Sequence, residues 1–339
     1  MKFGFMLLPR NLDETREVAR IGDAAGYHWM GVADSPTVYQ DSFLHQLEAA
    51  RATERIRVGP MVTHLVARHP VIVGNLLATF NEFTGGRGMA AIGTGNSAAR
   101  GLGLAPATMA ELEEGVGALE SYWRGEPAAY SSTTYPDSRI PGTGFARTRP
   151  ELLVAADGPR GTELAGRVGD GLFYGGTLDA DVIARRVAAV RARGGSRSVW
   201  VGPSASVRAT KDEVRDDLGA MIVAMANRAF RGDLSDRNLP AEIERDVREM
   251  WRRYDYAFHA DNSRPANLDV VTPALADYLI DHLCVWGNED RWRARLDRLE
   301  ADGCDGVMFI MGQADQAAAL REITERLVAL GRLPAPVAG

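Results

Sequence analysis

The chain has 339 residues, 45% of them hydrophobic, and a formal net charge of -6, which suits one large buried core or two smaller ones. An acidic balance with no basic block, and no interleaving of basic with aromatic residues, offers nothing to a nucleic-acid backbone. Cys284 and Cys304 are too few for a disulfide framework or a thiolate metal cage, no apolar run approaches membrane-spanning length, and Met1-Lys2-Phe3-Gly4 lacks a signal-peptide core, so the expectation is a cytoplasmic protein with neither metal nor membrane partner.

Phe3 to Leu8 reads as a short apolar strand ending at Pro9-Arg10, and Leu12 to Ala25 keeps helical spacing through Val18, Ile21 and Ala25 until Gly26 stops it. Trp29 to Ala33 is a second strand running into Asp34-Ser35-Pro36, and Ser42 to Thr53 a second helix. Ile56 to Thr63 forms the third strand. A helix over Val71 to Phe83 is closed by Gly85-Gly86-Arg87, and a fourth strand, Gly88 to Ile92, emerges into Gly93-Thr94-Gly95-Asn96. Met109 to Trp123 is helical, and residues 125–150, rich in Pro, Gly, Ser and Thr, make an excursion loop. Leu152 to Ala156 and Gly171 to Tyr174 are the fifth and sixth strands, each followed by a helix, Pro159 to Val168 and Asp179 to Arg193. Val199 to Val207 is the seventh strand, with one helix over Lys211 to Phe230. Residues 231–282 are a polar, partly helical insertion interrupted by Pro265 and Pro273. A helix over Asn288 to Glu300, an eighth strand over Gly306 to Ile310 and a last helix over Gln316 to Leu330 complete the chain, with residues 334–339 as a tail.

Eight strands alternating with helices predict an α/β protein, a closed (β/α)8 TIM barrel forming a single domain over residues 1–333 with insertion segments at its C-terminal mouth. Functional groups then belong where strands end: Asp34-Ser35, Met61-Val62-Thr63, Gly93-Thr94-Gly95, Ala156-Asp157-Gly158, Gly175-Gly176 and Gly312-Gln313.

Asp157-Gly158-Pro159-Arg160 joins a strand to a helix with Asp157 as candidate N-cap; free backbone N–H groups, a glycine and an arginine there make either an anion site or an ordinary capped helix. Gly175-Gly176 in the adjacent loop tips the balance toward a phosphate seat. Gly93-Thr94-Gly95 alone is neither a dinucleotide fingerprint nor a Walker loop. Asp34 is a general acid, a hydroxyl ligand or a loop cap. His64 and His69 have no carboxylate or second histidine at metal-ligand spacing, and His69 before Pro70 suits a helix start or substrate positioning. His28 and His45 sit within predicted elements, while His259 and His282 lie in or beside an insertion able to fold over the mouth. No Gly-x-Ser-x-Gly elbow supports a covalent hydrolase.

Gly59-Pro60-Met61-Val62-Thr63, Ala67-Arg68-His69-Pro70, Gly85-Gly86-Arg87, Ile92-Gly93-Thr94-Gly95, Ala156-Asp157-Gly158-Pro159-Arg160 with Leu164-Ala165-Gly166, and Asp170-Gly171 occur in this order, followed by Val285-Trp286-Gly287-Asn288-Glu289-Asp290 and Gly303-Cys304-Asp305-Gly306-Val307. In these segments the chain resembles the bacterial luciferase-like superfamily of flavin and deazaflavin oxidoreductases, and within it the methylenetetrahydromethanopterin reductase branch. The resemblance implies a barrel, usually dimeric, with an isoalloxazine-type ring at the mouth and a non-prolyl cis peptide beside it, matched here by Met61-Val62. It implies that the cofactor phosphate meets Gly158, Pro159, Arg160, Gly175 and Gly176, with Asp157 beside them, and that Asp34, Met61, Val62, Thr63, Thr94, Gly95 and Asn96 approach the ring or its side chain.

Two positions depart from the deazaflavin-dependent sugar-phosphate dehydrogenases of that superfamily: Ser35 and Asn96 stand where those relatives carry an acid–base histidine and glutamate. Sugar-phosphate oxidation is therefore in doubt, and Asp34, Tyr39, His64 and His259 are the candidates for proton handling. The function implied is hydride transfer between coenzyme F420 and a small or peptide-like organic substrate. The alternatives are an FMN-dependent monooxygenase fed by a separate flavin reductase and a non-catalytic flavin-binding protein. Oxygen consumption separates the first two, because a deazaflavin activates oxygen poorly.

Overall fold

The computed structural model describes residues 1–192, 194–256, 259 and 265–335. Its strands are β1 (Lys2–Leu7), β2 (Trp29–Val32), β3 (Arg57–Pro60), β4 (Thr63–His64), β5 (Met89–Gly93), β6 (Ala128–Tyr130), β7 (Ser138–Ile140), β8 (Glu151–Ala155), β9 (Gly171–Tyr174), β10 (Ser198–Val201), β11 (Ser204–Ser206), β12 (Cys284–Trp286) and β13 (Gly306–Ile310). Parallel pairing runs β3-β2-β1-β13-β10-β9-β8-β5-β4, and a bridge between Val58 and Gly88 brings β3 back to β5, giving the expected TIM-barrel ring. Gly59 permits this closure, since a Cβ there would lie 1.6 Å from the Met89 carbonyl oxygen. The third strand position is shared by β3 and β4 and the seventh by β10 and β11.

The period of two along each strand sorts side chains into two cores. Phe3, Phe5, Leu7, Val307 and Phe309 pack outward with Val18, Ala19, Leu320 and Ile323 of the flanking helices Leu12–Ala25 and Gln316–Ala329. Trp29, Met89, Ala91, Leu153, Phe173, Trp200 and Met308 fill the interior, and their cluster continues without a break into Met221, Ile222, Met225 and Phe230.

That continuity locates the insertion. Where the sequence suggests one helix over Lys211 to Phe230, the chain breaks at Gly219 (φ 49) into Lys211–Leu218 and Ala220–Ala229. The first is charged and boxed at its start by Thr210 and Glu213, while the second is buried nearly all round, so the two halves need different axes. Helices Ala241–Arg253 and Pro273–Leu283, the latter capped by Thr272, complete the cover. Three short elements escaped sequence reading: the helix Asn96–Gly101, β12, three apolar residues that pair with β11, and the antiparallel hairpin β6–β7 inside the expected excursion loop, where Tyr130 and Ile140 pack on Ala118. Among the described residues, no helix is long and apolar enough to cross a membrane.

Candidate active site

At the mouth beyond β2, Asp34 is buried, and its Oδ2 accepts from the Thr63 hydroxyl at 2.8 Å and from Arg68 Nη1 at 2.7 Å. Matched in this way by a cation and a hydroxyl, the Asp34 carboxylate acts as an acceptor within the fold. The Met61–Val62 peptide is cis, as the resemblance implies.

His64, next to Thr63, is 1% exposed. Its Nδ1 accepts from the Val66 N–H at 3.3 Å, which assigns the proton to Nε2, and among the described residues Nε2 has no partner. Burial pushes the imidazole pKa down, Asp34 opposes this and Arg68 reinforces it, so the ring is a neutral donor at pH 7. Gly95 (φ 83) packs on this ring: a Cβ there would lie 2.9 Å from it, so both the backbone conformation and the space call for glycine.

After β5, Gly95 leads into the short helix Asn96–Gly101, and Ser97 and Ser35 exchange a hydroxyl hydrogen bond of 3.1 Å that ties the second and fourth strand ends together. The Thr94 carbonyl accepts from the Ala107 N–H. Asn96 Oδ1 accepts from Arg100 Nε at 3.1 Å and from the Tyr256 hydroxyl at 3.4 Å. Tyr256 belongs to the insertion, which therefore reaches across the mouth to the fourth strand.

Beyond β8 the structure corrects the expectation for Asp157. The N-cap of helix Pro159–Val168 is Gly158, with no side-chain cap, while Asp157 Oδ1 accepts from the Gly175 N–H at 2.8 Å and so clamps two loops together. A Cβ at Gly175 would meet Arg228 at 1.9 Å and one at Gly176 would meet the Tyr174 hydroxyl at 2.3 Å, so both make room for the protein's own side chains. At Gly158 a Cβ would meet nothing, which leaves an uncapped helix start, with Pro159 in its first turn and exposed Arg160, facing open space.

Arg228 Nη2 donates to the Gly175 carbonyl at 2.7 Å, its Nε lies 3.7 Å from the Asp157 carboxylate, and buried Arg237 donates to the Asp157 carbonyl. These arginines were not foreseen, because their partners lie 53 and 80 residues away in sequence.

His259 pairs through Nδ1 with the Tyr254 hydroxyl, and burial, helped by Arg228, pushes its pKa down to about 4. Burial raises Tyr39 to about 12, with Arg10 opposing, which favours its protonated form at neutral pH. The other histidines have structural employment: His69 caps helix Pro70–Phe83, His45 bonds Thr15 and Gln40, His28 stacks on Trp200 and His282 on Tyr278.

With this geometry in hand, likeness to known proteins acquires meaning. The family described as luciferase-like monooxygenase matches residues 1–306. The 5,10-methylenetetrahydromethanopterin reductase of Archaeoglobus fulgidus is 22% identical over 91% of this chain and 92% of its own length. An F420-dependent glucose-6-phosphate dehydrogenase of Beutenbergia cavernae is 33% identical, but over only 37% of this chain and 39% of that relative. Among solved structures, the coenzyme F420 dependent tetrahydromethanopterin reductase from Methanopyrus kandleri superposes with a TM-score of 0.73 at 16% identity, covering 97% of this chain and 99% of that one. A type II Baeyer-Villiger monooxygenase component from Pseudomonas putida, in complex with FMN, gives 0.63 at 19% identity over 96% of each chain. A family match spanning nine-tenths of the sequence, on a parallel barrel whose strand ends gather Asp34, Thr63, His64 and Asn96, identifies the chain as a member of the luciferase-like monooxygenase family and as an oxidoreductase.

Proposed function

We propose that this protein transfers a hydride between coenzyme F420 and a small organic substrate at the C-terminal mouth of its barrel. The observation that carries the cofactor assignment is the open, uncapped helix start at Gly158-Pro159-Arg160, beside Arg228, on the same rim as the buried unpartnered donor of His64. Such a rim suits a molecule with a phosphate at one end and a polar ring at the other. The full-length likeness to a methylenetetrahydromethanopterin reductase favours F420 over FMN.

When bound, F420 supplies a carbon that accepts or donates hydride. The chain's own residues then divide the work. Gly158 and Arg160 offer backbone N–H groups and Arg160 a positive charge to the phosphate, Pro159 fixes the first turn between them, and Arg228 and Asp157 keep the neighbouring loop in place. Asp34, Thr63, Thr94, Gly95 and the Met61–Val62 segment border the ring, and His64 Nε2 donates to an acceptor atom there. His259, neutral and hydrogen-bonded to Tyr254, is the candidate proton-handling residue. Ser35 and Asn96 argue against a sugar phosphate as the substrate.

Titration of the purified protein with F420 and with FMN, each oxidised and reduced, tests the proposal by fluorescence quenching. The expected result is F420 binding at least about tenfold tighter than either form of FMN. Preference for reduced FMN with oxygen uptake would instead make the protein the oxygenase partner of a flavin reductase.

A further inference from the structure

The junction between the insertion and the fourth strand holds two guanidinium groups that no carboxylate among the described residues balances. Arg100 and Arg231 lie 5.8 and 5.9 Å from the Tyr256 ring centroid, and Arg231 also lies 5.5 Å from that of Trp251. Arg231 Nη2 donates to Asn227 Oδ1 and, at 3.1 Å, to the Tyr256 hydroxyl; Arg100 Nε donates to Asn96 Oδ1. Among the described residues neither forms an ion pair.

A census of donors and acceptors sharpens this. The Tyr256 hydroxyl accepts from Arg231 and from Asn227 Nδ2 at 3.3 Å and donates to Asn96 Oδ1, so it is fully used. Both amide oxygens, of Asn96 and of fully buried Asn227, are also taken. Among the described residues the network has donors in excess: both Nη groups of Arg100, Nη1 and the buried Nε of Arg231, and the Asn96 amide nitrogen. Two positive charges and a surplus of donors, partly shielded from water, favour an anion with several acceptor oxygens.

We propose that Arg100 and Arg231, with Asn96 and Tyr256 between them, form a seat for a carboxylate or phosphate group beside the reaction site. The inference rests on the F420-dependent reading above for its placement, since Asn96 directly follows the Gly93-Thr94-Gly95 turn. It names the substrate as an organic anion whose charged group is held at the fourth-strand end, with the acidic tail of the cofactor as the other source of the same chemistry.

The test titrates the F420-loaded full chain with succinate and with inorganic phosphate, using chloride at matched ionic strength as control and thermal stabilisation as readout. In parallel, affinity is compared for F420 and for its tail-less deazaflavin riboside. Saturable stabilisation that weakens about tenfold in Arg231→Gln and in the exposed-site variant Arg100→Gln, is retained in Arg231→Lys, and leaves F420 affinity unchanged supports the seat with substrate as its occupant. Selective loss of F420 affinity, with riboside affinity kept, supports the seat with the cofactor tail as occupant. Absence of saturable anion binding in the wild-type chain, with no change in either cofactor affinity in the variants, overturns it. If F420 itself fails to bind, the same anion titration on the cofactor-free chain still decides the seat, so the two proposals fail separately.

Discussion

On the β2 and β3 side of the barrel mouth charge is already matched: Asp34 is buried against Arg68 and Thr63 within one contiguous stretch of chain. On the adjoining side, where the insertion meets the fourth strand, Arg100 and Arg231 find only neutral partners among the described residues. The first arrangement is complete in the folded chain and contributes to its stability. The second leaves donors in excess and is completed by something that binds. A buried charge with its counter-charge present is thus evidence about folding, and a cluster of accessible charges without one is evidence about ligands.

The largest effect is expected from Arg68→Met. It strands the Asp34 carboxylate and should destabilise the fold by about 3–5 kcal/mol in a denaturant titration, with the double variant Asp34→Asn/Arg68→Met recovering most of the loss. Equal damage from Arg231→Gln would erase the distinction between the two sides. Gly95→Ala comes next: a positive φ and the His64 ring together should cost about 2 kcal/mol of stability by the same measurement. Gly158→Leu enters open space, so stability should hold within about 0.5 kcal/mol. Its F420 affinity should nonetheless fall at least about tenfold in the quenching titration; unchanged affinity would remove that loop from the site.

A further effect is expected on pH dependence. His28 and His259 are both pushed down to about 4 from an ordinary 6.5, chiefly by burial. The unfolded chain therefore binds more protons than the folded one between these values, and stability present above pH 6.5 should drain away as pH falls toward 4. His259→Gln should make that decline shallower in denaturant midpoints measured across the range.

Much of the barrel was legible because its strands carry period-two or continuous apolar runs, with glycine or proline punctuation at their ends. The strand-end rule also led to Asp34, Thr63 and Gly95, whose partners lie close by in sequence or on the next strand. Residues 231–282 yielded nothing of this kind, since Arg231 and Arg237 acquire meaning only from Tyr256 and from Asp157, through contacts that no local pattern encodes. Asp157 was misread for a related reason: its residue type and position suit an N-cap, yet a backbone N–H from the next βα loop competes for the same oxygen and wins. The three residues of β12 are too few to show any period.

The apolar cluster that runs from Trp29 and Phe173 through the barrel into Met221, Ile222 and Phe230 makes helix Ala220–Ala229 part of the same cooperative unit as the strands. Its amide hydrogens should exchange with solvent only when the whole barrel opens, on the same slow timescale as those of β1. Passage of a substrate must then use small rearrangements of the rim near Tyr254 and Tyr256, while the cover as a whole stays put.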